Sequence, residues 1–284
     1  MRNIIRTQGS EEKDSGNEKE NEKQSLLSSS GNTNLQALEK EPVLKYYASP
    51  KLSNYHRQLL PIRNFTLSES QRQYPDLPHS WLCAGRLLKL EDPAHAGNVR
   101  LFQDMWKRGQ PVLVANVASR LSKDLWTPSA FSKDARLQVL KSDLVNCISG
   151  KTLSNQPIKR FWEGFDQVEK RLKDEVGNPM LLKLKDWPPG EDFADLLPDR
   201  FEDLMKALPL TDYTDRNGRL NLAARLPDIF VRPDLGPKMY IAYGSGTDLE
   251  KGTTNLHLDI SDAVNVMVHV GVPEDVDNSD HIKG

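Results

Sequence analysis

The stretch that decides the fold reads Gly252-Thr253-Thr254-Asn255-Leu256-His257-Leu258-Asp259, with Ile260-Ser261-Asp262-Ala263-Val264-Asn265-Val266-Met267-Val268-His269-Val270 directly after it. On a strand, positions two apart point to the same side, so His257 and Asp259 can share one metal ion. A non-haem iron(II) centre takes two histidines and one carboxylate on one face of the metal and leaves the remaining positions open. Two of those three donors are present here. With six histidines and 40 acidic residues in the chain, a bare H-x-D is weak evidence, and its surroundings carry the weight. Thr253 and Thr254 are β-branched and strand-forming. In the stretch that follows, Val264, Val266, Val268 and Val270 alternate with Asn265, Met267 and His269. Either the second set lines the mouth of a barrel, where Asn265 could bond a cosubstrate, or it is the polar face of a half-exposed strand.

Working outward, Lys238 to Tyr243 reads as a strand, Gly244 to Gly252 as a polar loop, and Thr253 to Leu258 with Val264 to Val270 as the strands that close the sheet. Upstream, Val99 to Arg108 has helical spacing and stops at Gly109-Gln110-Pro111, and Val112 to Val117 reads as a buried strand. Leu137 to Ile148 reads as a strand and Asn155 to Lys173 as one amphipathic helix. Met180 to Leu184 is a strand, and Phe193 to Leu197 and Phe201 to Leu208 are short helices ended by proline. Arg219 to Leu226 reads as a short helix or turn. Helices come first and strands cluster last, the order of an α+β chain with a sandwich or barrel wrapped by N-terminal helices.

From Gln8 to about Ser70 the chain is rich in Glu, Lys, Ser, Asn and Gln, a composition that buries too little apolar surface to offset ordering entropy. The expected organisation is a disordered tail over 1–74, a helical and mixed region over 75–190, and the site-bearing region over 191–284. Net charge is −2 with 27% charged residues, so no global basic field or direct sequence-specific nucleic-acid binding is expected. Two cysteines, Cys83 and Cys147, are too few for a disulfide framework or a zinc site. No window approaches the ~18 apolar residues of a membrane span, and the expectation is a soluble intracellular protein without a membrane partner.

Four strings in register carry a resemblance. Gly252 to Pro273 resembles the metal-binding strand of the JmjC lysine demethylase 3 family. So do Leu182-Lys183-Leu184-Lys185-Asp186-Trp187-Pro188-Pro189-Gly190-Glu191-Asp192-Phe193, the string Val231-Arg232-Pro233-Asp234-Leu235-Gly236-Pro237-Lys238-Met239-Tyr240, and His79-Ser80-Trp81-Leu82-Cys83. Together they span about residues 75–284 in the family's order. The resemblance implies the front part of a JmjC, cupin-like double-stranded β-helix. It also implies an iron(II) and 2-oxoglutarate-dependent dioxygenase that demethylates mono- and dimethylated lysine 9 of histone H3. By matching position, His257 and Asp259 are the metal ligands, and Thr254, three residues before His257, contacts the cosubstrate with Asn265 as a further candidate. Tyr240 and Tyr243 match a region facing the methyl-lysine pocket, where aromatic faces attract an alkylammonium; as residues alone they read equally as core aromatics. Nuclear residence, the histone H3 tail and chromatin-associated proteins as partners, and a role in transcriptional regulation come with the same resemblance.

The family's second metal histidine lies on a later strand, and its cosubstrate lysine and preceding zinc-finger region have no counterpart here. His269 and His281 are the remaining third-ligand candidates. The chain is therefore expected to be C-terminally truncated, with an opened barrel that leaves a strand edge unpaired, and to be inactive alone. A non-catalytic chromatin scaffold or corepressor is the alternative, and a different cupin-type protein hydroxylase is a third reading.

Overall fold

The computed structural model describes residues 3–8, 63–231, 235–244, 253–254, 257, 262–271 and 273. The described residues fall into two compact units, one within Met1–Lys13 and Val117–Gly284, the other within Asp14–Asn116.

In chain order β1 (Asn3–Gln8) comes first, followed by the smaller unit's α1 (Leu67–Gln73), β2 (His79–Leu82), β3 (Leu87–Leu90), α2 (Asn98–Trp106) and β4 (Val112–Val114). Thr66 and Glu69 form a reciprocal capping box that starts α1, satisfying donors that a helix N-terminus leaves open. β2 and β3 make an antiparallel hairpin, and β4 joins β3 in parallel after the α2 crossover. Phe65, Leu77, Leu88, Leu90, Leu101 and Met105 form this unit's own core. Within the span expected as a tail, both β1 and α1 are regular structure. Composition cannot show that a short segment has found a sheet partner, nor that a cap has fixed one helical turn.

The larger unit continues with α3 (Lys123–Trp126), α4 (Pro128–Lys133), α5 (Ala135–Gln138), β5 (Lys141–Asn146), β6 (Thr152–Pro157), α6 (Ile158–Asp166) and β7 (Leu182–Trp187). Then come α7 (Phe193–Leu196), α8 (Pro198–Ala207), α9 (Thr211–Thr214), β8 (Lys238–Ala242) and β9 (Asn265–Gly271). One six-stranded sheet runs β6-β5-β7-β8-β1-β9, with every neighbouring pair antiparallel. An antiparallel sheet backed by helices is compatible with a JmjC, cupin-like domain. The expected strand over Thr253 to Leu258 is not seen in its described residues: Thr253, Thr254 and His257 all lie outside any strand.

The long helix expected from Asn155 is shorter at both ends. β6 occupies Thr152–Pro157 and pairs with β5. It is mostly exposed, so no apolar alternation marks it. α6 then places Ile158, Phe161, Trp162 and Phe165 on one buried face, the i, i+3, i+4, i+7 stripe of a core helix. Likewise the strand expected from Leu137 begins at Lys141, because Asp134 caps α5 through the Arg136 amide.

The core lies between the sheet and the helices. Phe131 stacks on Trp162 at 4.3 Å between ring centroids, and the guanidinium of Arg200 sits 4.3 Å over the other partner of that stack, Phe131. Arg200 is only 2% exposed. Its Nη1 donates to Asp134 at 2.7 Å and its Nε to the Leu125 carbonyl at 2.9 Å. The Arg136 and Arg200 guanidinium groups hold the Asp134 carboxyl far below the usual range, against the opposing effect of burial. Removing one partner of a buried pair strands the other charge, at about 3–5 kcal/mol. Asp199 lies 3.8 Å from Arg200 and offsets part of that, so Asp134→Asn is expected to cost about 3 kcal/mol in urea unfolding at pH 7. Because the carboxyl's affinity for protons is depressed by folding, the parent should lose this contribution as pH falls below about 4, and the variant should not.

Candidate functional site

β8 supplies the frame. Met239 and Ile241 point into the core and are essentially inaccessible, while Lys238 and Tyr240 point to the other face. On β7, Leu182 and Leu184 are buried and Lys183 takes the outer face. Register carries this alternation across the sheet. Lys238 faces Gln8, which faces Asn265; Tyr240 faces Arg6, which faces Met267. Met239 shares a rung with Thr7 and Val266, and Val266 is 5% exposed on the core side. Tyr240, Asn265 and Met267 therefore share the face away from the core, with Asn265 and Met267 exposed.

The Thr253 carbonyl reaches the same face. Lys183 Nζ donates to the Thr253 carbonyl at 2.9 Å, tying the chain just before Thr254 to β7. Thr254 and His257 are both exposed. The Tyr240 hydroxyl donates to Asp186, and Lys238 Nζ donates to the Pro188 carbonyl at 2.9 Å. Tyr240, Asp186 and Asn265 thus share one polar sheet face, to which the Thr253 carbonyl is tied.

Tyr243 goes the other way. It is 1% exposed, its hydroxyl donates to the Phe161 carbonyl at 2.6 Å, and its ring stacks on Phe161 at 4.9 Å. Arg171 lies 4.3 Å over that ring. Burial pushes the phenol's pKa up, with Arg171 opposing. Of the two tyrosines considered for a substrate pocket, the structure places Tyr240 on the outer face and Tyr243 in the core. The three-residue spacing on a strand puts them on opposite sides.

His269 also departs from strict alternation. Ile5 faces His269 but Arg6 faces Met267, so β9 holds one extra residue against β1. Such a bulge re-aims the side chains beyond it. Past it, Val270 is 45% exposed and the His269 ring lies 6.1 Å from the core ring of Phe165. The sequence shows four alternating valines; it does not show the bulge that breaks their pattern. Burial lowers the His269 pKa from 6.5, so its neutral form is favoured there.

Of the expected metal donors, His257 is described, exposed and outside any strand. Among the described residues no group of three or more His, Cys, Asp or Glu side chains is placed to hold a metal ion. Asp259 and His281 lie outside the described residues. His269 is turned toward Phe165 and not toward the polar face. Lys183 was not among the sequence candidates; a lysine between two buried leucines on the strand leading to the site was the available signal.

No family model matches the chain. Curated proteins do. Lysine-specific demethylase 3 of Drosophila melanogaster is 53% identical over 249 residues, 85% of this chain and 29% of its own length. Lysine-specific demethylase 3A of Homo sapiens is 55% identical over 201 residues, 70% of this chain and 15% of its own. The human "Probable JmjC domain-containing histone demethylation protein 2C" is 45% identical over 208 residues, 72% of this chain and 8% of its own. The chain thus spans less than a third of the relatives it matches. Among the described residues no helix is long and apolar enough to cross a membrane.

Two outcomes test this geometry. Lys183→Met removes the tie to Thr253, and amide hydrogen exchange at Thr253 and Thr254 should accelerate by about tenfold while β5 stays protected. For His269, the unfolded chain binds more protons than the folded one below about pH 6.5, so acidification from pH 7 to 5.5 should lower stability. His269→Gln should flatten that part of the profile, as read by urea midpoints at both pH values.

Proposed function

We propose a reaction from the premise that the chain belongs with the lysine-specific demethylase 3 proteins, as a homologue of part of their length. The reading is an iron(II) and 2-oxoglutarate-dependent oxygenase of the JmjC class. Its substrate is mono- and dimethylated lysine 9 of histone H3, and its setting is chromatin in the nucleus, where it serves transcriptional regulation. The observation that supports it most is the 53% identity to a lysine-specific demethylase over 85% of the chain.

In this reading His257 and Asp259 would hold iron(II), which when bound supplies the oxidising chemistry that removes an N-methyl group. The rest falls to the chain's own side chains. The Thr254 hydroxyl and the Asn265 amide offer hydrogen bonds to the carboxylate of 2-oxoglutarate from the polar face. Lys183 anchors the Thr253 carbonyl and so positions Thr254. Tyr240 presents a ring to the methylated ammonium, by cation–π attraction, and the Asp186 carboxylate at its hydroxyl adds a favourable charge on the same side. With His269 turned toward Phe165, two donors stand where three orient an open metal site. Turnover by this chain alone is therefore expected to be slight, and a scaffold role built on the same surface is the second reading, favoured by the exposure of His257.

The deciding measurement uses Mn(II) alone as an iron probe, followed by electron paramagnetic resonance. The parent chain should bind it, and His257→Ala and Asp259→Asn should each weaken binding by about tenfold or more, as ligand-sphere changes do. Binding that ignores both substitutions sinks the iron reading. With His257-dependent binding in hand, formaldehyde release from an H3 peptide dimethylated at lysine 9 that requires 2-oxoglutarate supports the demethylase. Bound metal with no release assigns the scaffold.

A further inference from the structure

β1 is the sheet member farthest in sequence from its neighbours. It pairs with β8 from Ile4↔Ala242 to Gln8↔Lys238 and with β9 from Asn3↔Gly271 to Gln8↔Asn265. β8 and β9 do not pair with each other, and among the described residues β1 is the only sheet neighbour of β9. Fifty-four residues, 9–62, lie between β1 and the next described residue. β9 also touches the larger unit through Val266 and Val268, which join its core, through His269 against Phe165, and through the 3₁₀ turn Val117–Arg120.

We propose that the gap between β8 and β9 is a strand-accepting site, and that Asn3–Gln8 is a separable occupant of it. The site recognises an extended segment of about six residues, antiparallel to both walls, through main-chain amides and carbonyls on its two sides. That is strand addition between two edges in place of one. An occupied gap holds β8 and β9 two strand spacings apart, about 10 Å. It thereby anchors both ends of the segment that carries Thr254 and His257. An empty gap leaves two open ladders and a β9 that keeps side-chain packing but has lost the ladder to β1. Interior strand positions use their amide N–H in one ladder or the other, so proline within Asn3–Gln8 should eject the occupant. This inference concerns the sheet alone and stands whether or not the chain binds iron.

The test is hydrogen exchange on the full chain carrying Ile5→Pro and Thr7→Pro together, compared with the parent. Exchange in β9 should speed up by tenfold or more, on the order expected when a strand loses its ladder. β8 should lose about half its protection, since β7 still pairs with it, and β5 and β7 should be unchanged. A synthetic peptide of residues 1–10, added in excess, should restore protection in β9, and the same peptide with the two prolines should not. Unchanged exchange in β9 of the variant, or failure of the parent peptide to restore it, overturns the proposal. Loss of protection in β5 and β7 as well overturns it too, because β1 would then be an integral strand and not a separable one.

Discussion

The end of β8 is fastened to α6 by one side chain, and the polar face depends on that fastening. Tyr243 donates to the Phe161 carbonyl, stacks on the Phe161 ring and lies under Arg171, whose Nε donates to the Gly164 carbonyl at 3.0 Å. Gly164 allows this approach: a Cβ there would come within 2.7 Å of the Tyr243 hydroxyl. A phenol kept neutral by burial remains a donor at any ordinary pH, so the hydrogen bond does not depend on titration. Tyr240, on the other face of β8, donates its hydroxyl to Asp186.

The alternation of faces explains how much of the site was legible. Asn265 was readable as facing away from the valines by alternation, and the structure puts it on the exposed face; Tyr240, open between pocket and core, lies on that same face. Tyr243 was open between pocket and core, and the structure buries it among core rings. The valine run of β9 was readable up to the bulge, which is a pairing event with β1 and leaves no mark in the sequence of β9. β1 itself was hidden for the same reason. A six-residue segment in a polar, charged region has no signature until its two partners are known. β6 escaped notice because an exposed hairpin strand shows no hydrophobic period.

The four strings that suggested the family were long and in order, and similarity to demethylases over most of the chain agrees with them. Relatives inform the chemistry; the geometry of this chain informs its limits. A tyrosine bonded to a carboxylate, an exposed amide and a backbone carbonyl tethered by a lysine make up the polar face. The two halves of the candidate metal pair stand differently. His257 is exposed and lies outside any strand, and Asp259 lies outside the described residues.

The Arg200–Asp134 pair has a consequence for how the protein responds to ionic strength. Surface pairs such as Lys206–Glu202, whose side chains are 78% and 70% exposed, sit in water where mobile ions weaken them over about 8 Å at physiological salt. Arg200 and Asp134 are 3% and 9% exposed, so mobile ions screen them far less. The helices that brace the sheet are thus joined by an attraction that salt weakens much less than it weakens the pairs of the charged exterior.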